Sequence, residues 1–307
     1  MSRLRVEERG TTKRQVAKRT QRPAAEDVRV GLLAGLPVTE RRLDLAGVST
    51  AVLEGGDGPP VVLLHGAGEF AATWMRVIPD LVRTRRVIAP DLPGHGASEV
   101  TDGSLDAERV LAWLGELIEH TCPSPPVLVG HLLGGSVAAR FAGDQKDRIS
   151  GLVLVDTLGL GRLRPSPRFL LALIPFIARP TERTQERLFR QCMVDLDGLR
   201  EQMGERLETL EAYALDRARS PSMKAALHTL MPQLGVPAIP PADLARITVP
   251  TTLIWGRYDL QVRLRTAEAA SSRYGWPLHV IENARDDPAT EQPEAFIRAL
   301  HPALDGS

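Results

Sequence analysis

The segment VLVGHLLGGSVAAR, Val127 to Arg140, runs from a short apolar strand through a glycine-framed turn into a helix-like stretch. This is the outline of a G-x-S-x-G elbow, a sharp turn that holds one reactive side chain clear of the backbone. The reactive position is Leu132, and leucine has neither hydroxyl nor thiol with which to attack. A relocated nucleophile is poorly served by the neighbouring hydroxyls. Ser136 falls about one helical turn past the tip, and Thr73 and Thr157 read as cap or turn residues. The histidines are no better placed as a base. His65 and His95 lie in glycine-rich loop motifs, His279 on a strand, His120 and His301 at helix ends, and His228 in a helical stretch. His131 flanks the tip, where an adjacent side chain projects away from its neighbour and reads as packing.

The turn keeps its backbone chemistry. With Gly130 and Gly134 retained, the chain can follow the same path, and a non-glycine tip held in a strained conformation costs about 1–3 kcal/mol. The Leu133 N–H and a second amide from the HGAG loop (Gly66 and, as donor, Ala67) can form an oxyanion hole without help from any side chain. Such a hole, at a helix N-terminus, favours negative charge. Leu132 would then be the apolar floor under a bound carbonyl, enolate or carboxylate.

The elements that position these residues alternate. RRLDLAG and VSTAVLEGG read as a hairpin, PPVVLLHGAG as a buried strand entering a loop, AATWMRVIPDLV as a helix, and RRVIAPDLPGHG as strand then loop. SLDAERVLAWLGELIEH reads as an amphipathic helix with Ser104 at its N-cap. PPVLVGH and ISGLVLVDTLG are apolar strands flanking the helix that follows the elbow. After Gly161 no strand intervenes until RITVPTTLIWGRYD. A helix over RTAEAASSRY, a strand over PLHVIENA and a last helix over EQPEAFIRALHPAL complete the chain. Apolar strands alternating with helices predict an α/β fold with a mostly parallel sheet and helices on both faces. The expected division is a basic, disordered tail over 1–26, an α/β core over 27–161 and 245–307, and a helical cap over 162–244.

HGAG, DLPGHGAS, the elbow, a helical insertion, WGRYD and the segment before the last helix occur here in an order that closely resembles the α/β-hydrolase superfamily. The likeness is to its small capped esterases, C–C hydrolases and perhydrolases, from about Leu43 onward. The resemblance implies a Ser…Asp…His triad in chain order. It maps the acid to Asp259 and the nucleophile to Leu132. The histidine of the family pattern A-G-H-x-P-x-x-E-x-P-E-x-F maps to Asp286, in ARDDPATEQPEAF, with Arg285 in place of the glycine before it. Two triad positions are therefore substituted. The same mapping sets Asp259 and Asp286 face to face. Two close carboxylates resist double ionisation, so one would hold a proton and the pair could work as acid and base. Alternatively Arg257 or Arg285 neutralises them into an inert network.

Composition narrows the partners. The chain has 307 residues, with 38 basic and 38 acidic side chains, so no overall field favours nucleic acid or an anionic membrane. Its two cysteines, Cys122 and Cys192, form no C-x-x-C pair, which argues against a disulfide framework and suits a reducing cytoplasm. A metal held by Asp259, Asp286 and Asp287 would have no histidine ligand nearby in sequence, and neither metal nor cofactor is expected. Phe169, Leu170, Leu171, Leu173, Ile174, Phe176 and Ile177 give the cap an apolar character that suits a small apolar carbonyl-containing ligand or cap-to-core packing equally. Three readings stay open. One is a degenerate hydrolase that binds but does not turn over. The second is a lyase, cyclase or isomerase using Asp259 and Asp286. The third is a hydrolase with a displaced nucleophile.

Overall fold

The computed structural model describes residues 25–306. Nine strands form one sheet: β1 (Thr39–Leu45), β2 (Val48–Gly55), β3 (Pro60–Leu64), β4 (Arg86–Pro90), β5 (Glu99–Val100), β6 (Val127–His131), β7 (Gly151–Val155), β8 (Thr251–Gly256) and β9 (Leu278–Ile281). Their order is β1-β2-β4-β3-β6-β7-β8-β9, with β5 pairing the edge of β2. β1 and β2 are an antiparallel hairpin closed by Ala46 and Gly47, both at positive φ, as a two-residue turn between right-twisted strands requires. From β4 to β9 every pairing is parallel. The central strands β3, β6 and β7 are buried along their whole length. Their unbroken Val/Leu runs reflect a sheet covered on both faces. One core lies between the sheet and helices Ala107–Thr121 and Leu132–Asp144, and the other between the sheet and helix Pro293–Asp305.

Between β7 and β8 stand helices Pro167–Ala178, Glu182–Cys192, Leu196–Met203, Glu205–Arg219 and Pro221–Leu230, then shorter turns to Leu244. The expected tail over 1–26 lies outside the described residues except for its end. Ala25 and Glu26 open a helix, Ala25–Leu33, so order begins earlier than the composition implies. That helix is tied down by Arg29, which pairs with Glu40 and with the buried Asp91 at 2.9 Å, while Leu32 joins Leu207 and Tyr213 of the cap in one apolar cluster. It belongs with the cap rather than with the sheet.

Two local expectations are corrected. The helix expected over AATWMRVIPDLV is a 3₁₀ turn, Ala71–Arg76, followed by a single α-turn, Ile78–Leu81, because the Asp91 carboxylate takes the Ala71 N–H at 2.6 Å and Pro79 restarts the chain. The N-cap of Ala107–Thr121 is Asp106, not Ser104; its carboxylate accepts from Arg109 N–H at 2.9 Å. Both residues are capping types, and the charged acceptor nearer the first turn takes the role. Among the described residues no helix is long and apolar enough to cross a membrane.

Candidate active site

The elbow lies between β6 and helix Leu132–Asp144. Leu132 sits at φ 44°, the left-handed region that L side chains avoid, and its side chain is buried in the core. A tight approach enforces this. A Cβ on Gly130 would lie 2.5 Å from Gly135 Cα, and the Gly134 N–H donates to His65 O at 3.1 Å, locking the helix start to the end of β3. Leu133 falls in the first turn, where amides have no intrahelical acceptor. Ala67 follows Gly66 in the facing loop, so the two expected oxyanion donors stand on adjoining segments.

That loop also carries Glu69, which sequence reasoning passed over. Its carboxylate accepts from Gly66 N–H at 2.6 Å and from His131 Nδ1–H at 3.1 Å. On its other side the His131 ring donates from Nε2 to the backbone carbonyl of Asp286. Carbonyl and ionised carboxylate only accept, so with Glu69 ionised both ring nitrogens carry protons and His131 is an imidazolium. Burial opposes that charge, but Glu69 overrides it, with smaller help from Asp287 and Asp286, and pushes His131 up to about 10. The imidazolium in turn holds Glu69 below the usual carboxylate range, against the effect of burial. His131 was expected to pack beside the tip. It instead bridges the HGAG loop and the Asp286 loop, with both ring nitrogens engaged.

Asp259 and Asp286 are both buried and influence one another. Gly256 permits this. A Cβ there would fall 1.6 Å from the Arg285 carbonyl, so only glycine lets the Asp286 loop close against the end of β8. The pair is in fact a set of three, because Asp156 at the end of β7 interacts directly with Asp259. Asp156 Oδ1 accepts from Gly256 N–H at 3.0 Å; Asp259 Oδ1 accepts from Gln261 N–H at 2.6 Å and Val262 N–H at 3.0 Å. The Oδ2 atom of each is buried without a donor. A proton shared between the two acids would supply the missing donor. Burial pushes Asp259 up to about 7, and burial together with Asp259 raises Asp156 and Asp286 well above the ordinary range.

Neither expected arginine neutralises this set. Arg257 pairs with Glu282, and Arg285 donates to the Met193 carbonyl at 2.8 Å on the cap. The cation that does act on Asp259 and Asp286 is His131, which favours their ionised forms against burial. Asp287, the other acid of this loop, caps Pro288–Glu291 through Thr290 N–H at 3.0 Å. Among the described residues no group of three His, Cys, Asp or Glu side chains is arranged to hold a metal. Asp156→Asn should be tolerated and should stabilise the fold by about 1 kcal/mol at pH 8, because the amide can donate to Asp259 Oδ2 and removes one buried acid. Thermal melting of the two proteins side by side checks it, and a lower midpoint for the variant would show that the pair shares no proton.

No activated nucleophile faces the elbow among the described residues. Ser136 donates to Leu234 O at 2.6 Å, Thr73 to Phe70 O at 2.8 Å and Thr157 to Val155 O at 3.2 Å. Sequence reasoning did not place Cys192 here, yet the last residue of cap helix Glu182–Cys192 brings its thiol against Asp286. Burial and that carboxyl push the thiol well up, away from the reactive thiolate. His65 accepts from Leu92 N–H at 2.9 Å and donates to Gly66 O at 2.8 Å, a neutral, structural imidazole. Burial carries His95 down to about 4.

Known proteins share this architecture. The model of the alpha/beta hydrolase family matches residues 61–299. Pimeloyl-[acyl-carrier protein] methyl ester esterase of Chromobacterium violaceum is 30% identical over 257 residues, covering 80% of this chain and 94% of its own. The 2-hydroxy-6-oxo-6-(2'-aminophenyl)hexa-2,4-dienoic acid hydrolase of Metapseudomonas resinovorans is 27% identical over 273 residues, covering 85% of this chain and 89% of its own. Among solved structures, 2-hydroxy-6-oxo-6-phenylhexa-2,4-dienoate hydrolase from Rhodococcus sp. strain RHA1 superposes with a TM-score of 0.75 at 25% identity, covering 87% of this chain and 99% of that one. With the parallel sheet, the elbow and the cap in place, the chain belongs to the alpha/beta hydrolase family.

Proposed function

We propose that this chain is a binding member of its family, without serine-type ester hydrolysis, that takes a small apolar carbonyl-containing molecule at the junction of cap and core. The observation that carries this reading is the pairing of a leucine tip with a doubly protonated His131. The tip has no atom that attacks, and the histidine beside it has no lone pair to deprotonate one. Covalent catalysis needs both.

The ligand class rests on a cleft of about 670 Å³ between the cap and the end of β8. Its walls include Val194, Tyr258, Leu260 and Leu264, with Asp259 among the lining residues. Arg285 also lines it. The substrates in the names of the relatives above are an ester and oxo acids, all carbonyl compounds. A second reading, acid–base turnover without a covalent intermediate, is favoured by one observation: Asp259, pushed up to about 7, can both give and take a proton near neutrality. It predicts a rate that needs Asp259 and Asp286 and no hydroxyl.

Intact-mass spectrometry after exposure to a fluorophosphonate probe tests the first reading. The expected result is no adduct. A stoichiometric adduct would reveal an activated nucleophile, located by peptide mapping, and would overturn it. Native mass spectrometry of freshly purified protein is the companion measurement for a retained ligand.

A further inference from the structure

Beyond Arg168 in its first turn, cap helix Pro167–Ala178 is apolar all round, which ordinarily means burial on every side. Only one face of it is buried. Phe169, Ala172, Leu173 and Phe176 pack toward helix Glu182–Cys192 and Leu260. The opposite stripe is bare: Leu171 is 75% exposed, Ile174 62%, Ile177 62% and Leu170 36%. These four recur at helical spacing, so they form one continuous patch rather than scattered side chains. They point away from the core, so neither of the two uses expected of this run, a ligand beneath the cap or cap-to-core packing, accounts for them. Large contiguous apolar patches on a folded protein mark a surface that something covers.

The surroundings of the patch identify its occupant. Arg162, Arg164 and Arg168 lie at its N-terminal end and Arg179 and Arg183 at its C-terminal end, all exposed. None of the five has a carboxylate partner among the described residues. Arg162 and Arg164 also line, with Arg263 and Arg265, a cavity of about 280 Å³ whose four arginines are equally unpaired. Because basic and acidic residues balance over the chain, this concentration of positive charge is local. A second copy docking on the same stripe would bring arginine against arginine. The N-terminal segment 1–24 is polar and basic, with no apolar run to lay along the stripe. An anionic lipid bilayer satisfies both features: acyl chains for the leucines and isoleucines, phosphates for the arginines.

We propose that the outer face of helix Pro167–Ala178 docks this protein flat on anionic phospholipid membranes, with the Arg162/Arg164/Arg263/Arg265 cavity seating lipid phosphates at the helix's N-terminal end. The helix is about 18 Å long at 1.5 Å per residue, enough to lie in the interface and too short to cross it. Nothing in this inference depends on whether the elbow is catalytic.

Co-sedimentation of the full chain with vesicles tests it. Vesicles of phosphatidylcholine with about 30 mol% phosphatidylglycerol should pull the protein down, pure phosphatidylcholine should do so at least about tenfold less, and raised salt should release it. Leu171→Asp with Ile174→Asp should cut binding about tenfold or more while leaving the melting temperature unchanged, since both side chains are exposed. Arg162→Ser with Arg164→Ser should weaken binding to the anionic vesicles alone. Unchanged binding by the Leu171/Ile174 variant would overturn the proposal by assigning adsorption to another part of the chain, the basic N-terminal segment included. Absence of binding to anionic vesicles would overturn it, and so would a native dimer, seen by sedimentation equilibrium, that the same variant dissociates.

Discussion

Leu132→Ser combined with Asp286→His should hydrolyse a p-nitrophenyl ester slowly, where the native chain and either single variant do not. Serine at position 132 would stand at the tip of a turn that the glycines already hold, beside amides that can receive a developing oxyanion. Alone it would lack a base, because both nitrogens of His131 are committed as donors. Histidine at position 286 would supply one next to Asp259, whose Oδ2 would accept from the imidazole in place of the proton shared with Asp156. The same change removes one carboxyl from a crowded set. Positioned general-base catalysis contributes on the order of 10²–10⁴-fold, so the double variant should exceed either single one by at least about 100-fold. Initial rates for the four proteins settle it. Equal rates for Leu132→Ser alone and the double variant would mean that another residue serves as base and would sink the reading of His131.

Glu69→Gln should destabilise the protein by about 2 kcal/mol at pH 7, less than the cost of stripping one partner from a fully buried ion pair because the Glu69 side chain is partly exposed. For a domain of this size that lowers the melting temperature by about 4 °C or more. The pH profile carries the same information. His131 is raised to about 10 in the fold, so the stability it contributes is complete below its unfolded value near 6.5 and is lost as pH climbs toward 10. Asp259, raised to about 7, and Asp156 and Asp286, raised further, act in the same direction. The protons they hold in the fold favour it at low pH, and that contribution is lost as pH rises through their folded values. Glu69 is lowered and acts oppositely: its contribution disappears only as pH falls below the normal carboxylate range. The melting temperature should therefore peak on the acid side, near pH 5, and decline steadily to pH 10. In Glu69→Gln the decline above pH 7 should flatten. A native profile level from pH 5 to 10 would be incompatible with an imidazolium at position 131.

The mostly parallel sheet was legible in the chain, though not its strand order, because each strand is a local signal. An apolar run such as VVLL or VLVG can satisfy its backbone and bury both faces only inside a covered sheet. The elbow was equally legible, since Gly130 and Gly134 are spaced by the turn itself. The absence of strands between Val155 and Thr251 likewise marked the cap by pattern alone. Local competition misled where two capping residues, Ser104 and Asp106, stood within one turn, and where a buried carboxylate from another loop turned AATWMR into a 3₁₀ segment.

What only the tertiary structure decided is who faces whom. Glu69 and His131 are 62 residues apart and belong to no shared motif, yet their contact favours the charged form of the histidine. Asp156 looked like the end of an ordinary strand, and Cys192 like a lone cysteine in a cap. Both reach the same aspartates only because β7, β8 and the helix Glu182–Cys192 converge there. The two faces of helix Pro167–Ala178 are indistinguishable by composition, and packing alone left one of them bare. Hydrophobic periodicity is a property of neighbours along the chain, whereas protonation state and exposure depend on groups that folding brings together from distant positions.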